Sequence, residues 1–475
     1  DEHPFNIALV IRLGEELGIA PDFALKEMAD RVVPDLGVLK TFPIAPLNSR
    51  KLQFVNGMSA NERFGCLSNW VRMAFDKHDY EQEPGVWIST VVNNRADRVA
   101  RSRVFASILV ADISADRHFL IGSNLHGLVG YIQEAWDKFS EALTLWPEAS
   151  AAVTLTQGEI LMQFARRYRI ALTEEQVIAR LRAMLEGQEL ELDVDALCSV
   201  WEDKAKLQQK MSDAGLEQHT DAIMSHHMRN IEEHESYKTF LAKLQLPGEH
   251  GKLDTEFKTL LHQWFNSKIV VIEDYYSSGN QTINIINEAT PPGYLNKVMG
   301  IQNIKGTGLD FIYRWQAWDA CYKACIQLRS NSQIVVEQGL RALAAFQEYG
   351  LVSEQYVRET LSLAKHSPHT QQENLQAELV VIQSNLERAM RDVNAQMSVV
   401  RQTGKSAKIV EMIESFLDAG DAVKRRKHAD LVYKDMIAER ISMERAVMEL
   451  QGLNKRQKGG WLLSKWDNVQ GYFRK

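Results

Sequence analysis

Two short stretches carry side chains whose types and spacing suit chemistry on anions. In VVNNRADRVARSRVF, residues 91–105, Arg95, Asp97, Arg98, Arg101 and Arg103 follow an apolar strand-like run and open a helix-like one. Guanidinium forks bind carboxylate or phosphate through paired hydrogen bonds, and a carboxylate such as Asp97 can orient a fork or accept from a ribose or amine. A surface ion-pair cluster fits the same spacing. In FVNGMSANERFGCLSNW, residues 54–70, Asn56, Gly57, Ser59 and Asn61 place polar groups at a second strand end. There Gly57 would let a ligand approach the backbone, while Asn61 fits equally well as a helix cap. Both stretches run from strand to loop to helix, where open α/β sheets present their ligands.

Other reactive-looking groups lack the spacing their chemistry needs. Gly404-Lys405-Ser406 imitates a phosphate-binding loop, but the glycine required five residues earlier is replaced by Val399 on a helical stripe. His219, His226, His227 and His234 share one helical stretch with Glu232, Glu233 and Glu235. Steps of seven or eight residues separate same-side pairs by more than about 10 Å, too far for one metal, so a solvated helix face is expected. Cys321 and Cys325 lie four apart beside Trp315 and Trp318, a pattern that suits buried packing.

The elements that must position the two loops follow from punctuation and period. Six of the 11 prolines lie at or before Pro84, and none follows Pro368. In the early part, runs at 52–56, 86–92, 118–122 and 151–155 each precede an amphipathic stretch, the signature of βαβ units around a mostly parallel sheet. From about Thr156 the period turns helical, with Thr173-Glu174-Glu175 reading as a cap with first-turn acids. Residues 268–272, KIVVI, interrupt this as a further strand, the sole β-branched run expected to pair after 155. Leu375, Leu379, Ile382, Leu386, Met390, Val393, Met397 and Val400 then form one stripe, and a second stripe follows Gly404. An antiparallel helical hairpin satisfies both stripes, as does a coiled coil with another chain, which would make a homo-oligomer.

With 475 residues the chain has room for about three domains. Its 45% hydrophobic and 25% charged content exclude a disordered, fibrous or polytopic membrane chain. A net charge of −7 argues against a nucleic-acid partner. Four scattered cysteines and no long apolar run point to the cytoplasm. The beginning at Asp1, almost directly in a helix, reads as a C-terminal portion. The tail after 453 is different: Lys455, Arg456, Lys458, Lys465, Arg474 and Lys475 alternate with aromatic residues such as Trp461 and Trp466. That composition suits an anionic bilayer surface or a membrane-protein partner, and equally a tail packed on its own domain.

Four segments in order give a resemblance to the Mur ligase superfamily, above all to the ligase subunit of poly-γ-glutamate (capsule) synthases. PFNIALVIRLGEELGI is similar to the helix that ends the central ATPase domain, with Asn6 at the family asparagine near the adenine. FVNGMSANE resembles the first-strand loop, NNRADRVARSRVFA the subunit's arginine segment, and HFLIG its third strand. Glu62 stands where aspartate is usual, and Phe64-Gly65-Cys66 replaces a Ser/Thr-rich stretch. The family P-loop and magnesium-binding acids have no counterpart in this chain.

The resemblance implies ATP-dependent amide formation through an acyl phosphate, with Mg2+ and most of the ATP held by the central domain. It implies Arg95, Asp97 and Arg98 as catalytic residues, Asn6, Asn56 and Asn61 as nucleotide contacts, and no metal ligand in this portion. Glutamate or a similar amino acid is the expected substrate, and a small integral membrane subunit the expected partner. That partner would hold the protein at the inner face of the membrane. The implied fold is a Rossmann-like Mur ligase C-terminal domain with a large helical insertion and an appended helical region containing long antiparallel helices. The boundaries would be 1–42 for the end of the central domain and linker, 43–155 plus 268–290 for the α/β domain, and 156–267 for the insertion. A helical domain at 291–453 and the basic aromatic tail at 454–475 would complete the chain. The alternative is a non-catalytic scaffold or assembly protein that keeps a Mur-like domain and acts through its helices.

Overall fold

The structure, a computed structural model, describes residues 4–30, 37–147, 155–188, 190–272, 279–344, 354–370, 372 and 375–387. In chain order the strands are β1 (Lys40–Thr41), β2 (Ala45–Leu47), β3 (Arg50–Asn56), β4 (Val86–Asn94), β5 (Arg117–Gly122), β6 (Ile269–Val271) and β7 (Leu295–Ile301). The helices up to the sheet's last crossover are α1 (Pro4–Glu16), α2 (Pro21–Asp30), α3 (Arg63–Arg72), α4 (Val99–Ala111), α5 (Leu125–Glu141), α6 (Gln157–Arg167), α7 (Glu174–Glu186), α8 (Val194–Cys198), α9 (Lys204–Asp213), α10 (Glu217–Leu244), α11 (His250–Asn266) and α12 (Gly279–Ala289). After β7 come α13 (Thr307–Leu328), α14 (Gln333–Ala344) and α15 (Glu354–Lys365).

Among these residues the strands form one sheet in the order β1-β3-β7-β4-β5-β6, with β2 on β3. β3, β7, β4, β5 and β6 run parallel, and the two short strands pair antiparallel with β3. The order explains the layers. From β3 the chain steps outward through β4 and β5 to β6, and right-handed crossovers put α3, α4 and α5 on one face. Cys66, Trp70, Phe105, Ile108, Leu128 and Trp136 of these helices meet Val55, Val92 and Leu120 there. The return to β7 reverses direction, so the same handedness sends α12 to the other face. Ile283 and Ile286, joined by Phe311 and Trp315 of α13, pack there on Phe54, Val91, Phe119 and Val298. Coverage on both faces is why β4 and β5 are buried almost throughout and carry apolar residues at their centres.

The strand expected at 268–272 is present as β6, whose Val270 pairs with Phe119 of β5. Residues 151–154 lie outside the described residues, and Leu155 is in no strand. The expectation of a helical domain over 291–453 is corrected at its start, because β7 is an interior strand of the sheet, paired on both sides with β3 and β4. The run LNKVMGI hides this, since Asn296, Lys297 and Gly300 break its apolar pattern. Pairing on both sides supplies the hydrogen bonds, Asn296 Nδ2 donates to Thr290 Oγ1 at 2.7 Å, and Lys297 Nζ lies 2.8 Å from His78 Nε2. The boundary at 42 also moves, as Leu39 and Phe42 are already buried in the core.

Helices α6 to α11 intervene between β5 and β6. Thr156 and Thr173 cap α6 and α7, the first in a reciprocal capping box with Glu159. The histidine face expected in water is a correction: His226, His227 and His234 of α10 are buried. His227 Nε2 lies 2.7 Å from Trp201 O and His234 Nδ1 2.9 Å from Ala171 O, so a backbone carbonyl takes one nitrogen of each ring, while the other nitrogen is buried without a partner among the described residues. Cys321 and Cys325 are buried as expected, in a cluster with α14, α15 and the helical residues Leu375, Leu379, Ile382 and Leu386. The rest of that stripe, the second stripe, Gly404-Lys405-Ser406 and the basic tail lie outside the described residues.

Candidate functional site

The parallel strands β3, β7, β4 and β5 end at Asn56, Ile301, Asn94 and Gly122 on one edge, where β4 and β5 run two to three residues beyond β7 and β3. This is the edge where parallel sheets bind ligands. At the end of β4, Arg95 Nη2 lies 2.7 Å from Asp97 Oδ2, and Arg98 Nε approaches the same oxygen at 3.6 Å. All three side chains remain at least partly open to solvent. Arg101 turns inward, donating to Gln302 O at 3.5 Å and to Asn303 Oδ1. Burial, then Arg98 and Arg95, push its pKa down, with Asp97 opposing. Arg103 leaves the cluster for Glu134 at 3.6 Å and the Tyr131 ring. The five charged residues adjacent in sequence thus divide, and only Arg95, Asp97 and Arg98 stay together at the loop.

Beneath the loop lies a layer of neutral amides that the sequence reading passed over. Asn94 Nδ2 donates to Ser123 O at 2.7 Å, and its Oδ1 accepts from Ser102 Oγ at 2.7 Å and Gln302 Nε2 at 2.8 Å. Asn93 Nδ2 donates to Asn303 O at 2.7 Å and Lys305 O at 2.8 Å. Asn93 Oδ1 is buried and accepts no hydrogen bond from the described residues. These bonds tie the end of β4 to the loops after β5 and β7, and Gln302 takes a left-handed φ of 85° to reach in. The signal available in the sequence was the pair Asn93-Asn94 ending an otherwise apolar strand. Its partners Gln302 and Asn303 lie some two hundred residues away, with no local pattern to mark them.

The first loop behaves differently from its expectation. Asn56 is buried, with Nδ2 donating to Val38 O at 3.4 Å and Oδ1 accepting from Met58 N at 3.3 Å. Gly57 is required by packing on β7: a Cβ there would come within 2.6 Å of the Met299 side chain and 3.0 Å of Gly300 O. Asn61 is exposed, and the cap of α3 is Glu62, whose carboxylate accepts from Phe64 N at 2.8 Å and Gly65 N at 2.5 Å. Because β7 separates β3 from β4 and the register puts Asn56 level with Val91, four residues before Arg95, Asn56 and Arg95 stand further apart than the two strand spacings of roughly 10 Å. Asn6 lies in α1, which packs on α2, and its side chain is outside the described residues. Among the described residues no group of three or more His, Cys, Asp or Glu is placed to hold a metal.

An open parallel sheet with an arginine-bearing loop at its carboxyl edge defines an α/β domain suited to anionic ligands. Residues 41–192 match the family described as the poly-gamma-glutamate synthase CapB C-terminal domain. That span holds β2 to β5, the second residue of β1 and both loops, but neither β6 nor β7. More particularly, the chain is similar to the PGA synthase CapB of Bacillus subtilis (strain 168), 32% identical over 132 residues. Those residues make up 28% of this chain and 32% of that one, so the chain spans about a third of the length of the curated relative it matches. No solved structure matches. These similarities relate the α/β part of the chain to poly-γ-glutamate synthases.

Proposed function

We propose that the chain is the C-terminal part of an ATP-dependent carboxylate–amine ligase of Mur type, which joins glutamate or a similar amino acid into a poly-γ-glutamate capsule-type polymer. The observation that carries this reading is the Arg95–Asp97–Arg98 loop at the carboxyl edge of the sheet, inside the span that matches the synthase C-terminal domain. Two guanidinium groups against one carboxylate leave a positive rim. This donor set fits a carboxylate substrate or the phosphates of ATP. Bound ATP would supply the phosphoryl group that activates a carboxylate as an acyl phosphate, with Mg2+ held by residues beyond those described.

Within that chemistry Asp97 fixes the fork of Arg95, and Arg95 and Arg98 bind and orient the anion. The amide layer of Asn93, Asn94 and Gln302 keeps the loop from shifting as charge accumulates, which is where preorganised donors are most effective. Asn56 acts through backbone positioning of the neighbouring loop, whereas Asn61 and Asn6 remain candidate nucleotide contacts. The test is Arg95→Ala and Asp97→Ala in the intact gene product. Glutamate-dependent ATP turnover is expected to fall about a hundredfold or more, with the melting temperature nearly unchanged. Turnover within threefold of the parent in both variants would remove the loop from the site.

We further place the ligase at the cytoplasmic face of the membrane beside a small integral membrane subunit, with the tail at 454–475 as the attachment. Among the described residues no helix is long and apolar enough to cross a membrane. Six basic residues at about 1 kcal/mol each near an anionic leaflet give salt-sensitive attachment. Deleting 454–475 should abolish co-sedimentation with membranes in moderate salt; unchanged co-sedimentation would sink the idea. A non-catalytic scaffold is the second reading, favoured by the helical bulk beyond residue 192 that the family match does not cover. A homo-oligomer through the long helical stripes belongs to either reading.

A further inference from the structure

At the opposite end of the strands, Arg117 opens β5. Alternation along the strand puts it on the face of Phe119 and Ile121, toward α12. Its side chain is buried, stacked over the Trp87 ring at 5.5 Å, and its one hydrogen bond among the described residues goes from Nη1 to Asp116 O at 2.7 Å. The adjacent carboxylate does not neutralise it, because Asp116 is paired with Arg169 at 2.7 Å. Among the described residues no carboxylate lies within 4 Å of Arg117. A buried guanidinium without a counter-ion is costly unless something supplies one.

Arg117 lines a cavity of about 350 Å³ together with Ser225, His226 and Arg229 of α10, Ser267, and Glu288 of α12. Arg229 is half-buried and likewise has no ion-pair partner among the described residues. Glu288, the sole acid of the lining, is exposed and acts on Arg50. His226 packs edge-on against Trp87 at 6.2 Å, and burial followed by Arg50 lowers its pKa to about 4, so it stays neutral and adds no charge to the cavity. A second cavity of about 500 Å³ along α10 shares Ser225 and Arg229, and Asp221, Glu232 and Lys204 line it as well. Volumes of this size hold amino acids and phosphates.

We propose that the cavity between α10 and the amino-terminal edge of the sheet is a second anion site. Arg117 and Arg229 there take a small carboxylate- or phosphate-bearing ligand. It is separate from the loop at Arg95 and independent of the ligase reading, since it lies at the other end of β5. The helices between β5 and β6 bring Arg229 over the edge, which gives that insertion a binding role.

The test is calorimetric titration of the full chain carrying Arg95→Gln and Arg98→Gln, which silences the other edge, with sodium phosphate and separately with sodium L-glutamate at low ionic strength. At least one anion is expected to bind with a Kd below about 10 mM, and adding Arg229→Gln, a half-exposed change that should leave the fold intact, should weaken it tenfold or more. Arg117→Lys, which keeps the charge and loses the fork, should also weaken it. Glutamate binding alone would identify a carboxylate site, and phosphate binding alone a phosphoryl site. Absence of binding by either anion below about 10 mM, or an affinity within twofold after Arg229→Gln, overturns the proposal. Anion binding retained in the Arg95→Gln, Arg98→Gln background while ATP turnover is lost would separate this site from the ligase edge.

Discussion

The two ends of the same parallel strands handle arginine in opposite ways. At the carboxyl edge Arg95 and Arg98 sit in a solvent-facing loop and share Asp97, while buried neutral amides hold the backbone beneath them. At the amino edge Arg169 and Asp116 form an ion pair in which each side chain is only 4% exposed, and Arg117 is buried beside it with no acid of its own among the described residues. The difference separates positioning from stability. A charge in a loop can be removed with little effect on the fold but a large one on binding, whereas a buried pair carries the fold itself.

The largest stability change should come from Asp116→Asn, which leaves Arg169 buried and unpaired and weakens the acceptor for Ile88 N. Urea unfolding should show a loss of about 3–5 kcal/mol. A loss below about 1 kcal/mol would mean that water reaches the pair and that the two ends do not differ as described. Next is Gly122→Ala at the carboxyl edge, where φ is +97° and a Cβ would lie 2.2 Å from Asn94 O. A cost of roughly 1–3 kcal/mol is expected, together with displacement of the Asn93–Asn94 layer visible in amide exchange. Unchanged stability would show that the layer is soft.

Acid should act at the amino edge first. His118 lies within the sheet with Nδ1 2.8 Å from Thr90 Oγ1, and burial, then Lys268 and Arg167, lower its pKa from 6.5 to about 3. His226 falls from 6.5 to about 4. Both are neutral when folded and titrate earlier when unfolded, so the unfolded chain binds more protons below pH 6.5. Stability is therefore fully present above about pH 6.5 and is lost as pH falls toward 4, by roughly 1 kcal/mol per pH unit for each histidine. His226→Gln should flatten that slope in urea titrations between pH 6.5 and 5; an unaltered slope would place the proton uptake elsewhere. The smallest change belongs to Asp97→Ala, which breaks exposed pairs and should alter unfolding free energy by less than about 1 kcal/mol. A larger loss would make the arginine loop a structural clamp.

Much of the sheet was legible. The strands β3, β4, β5 and β6 follow from β-branched or apolar runs bounded by turns, because burial on both faces demands such runs whatever the neighbours are. The loop Arg95-Ala96-Asp97-Arg98 was legible for the same local reason, as its charges interrupt the pattern at a strand end. The buried histidines of α10 were not, since a histidine whose partner is a distant carbonyl, as for His227 and His234, looks like one facing water. Neither was the inward turn of Arg101, which depends on Gln302 and Asn303.

By itself the sequence determined which short segments extend, which coil, and that arginines stand at the end of β4, because these depend on residue type and spacing over a few neighbours. Only the tertiary structure decided that Leu295–Ile301 lies between β3 and β4, and that Asn93 and Asn94 are locked by residues after β7. It alone placed Arg117 and Arg229 on one cavity. In each case the partner lies about a hundred or more residues away, and a hydrogen bond or a charge left without a counter-ion has no signature in local periodicity.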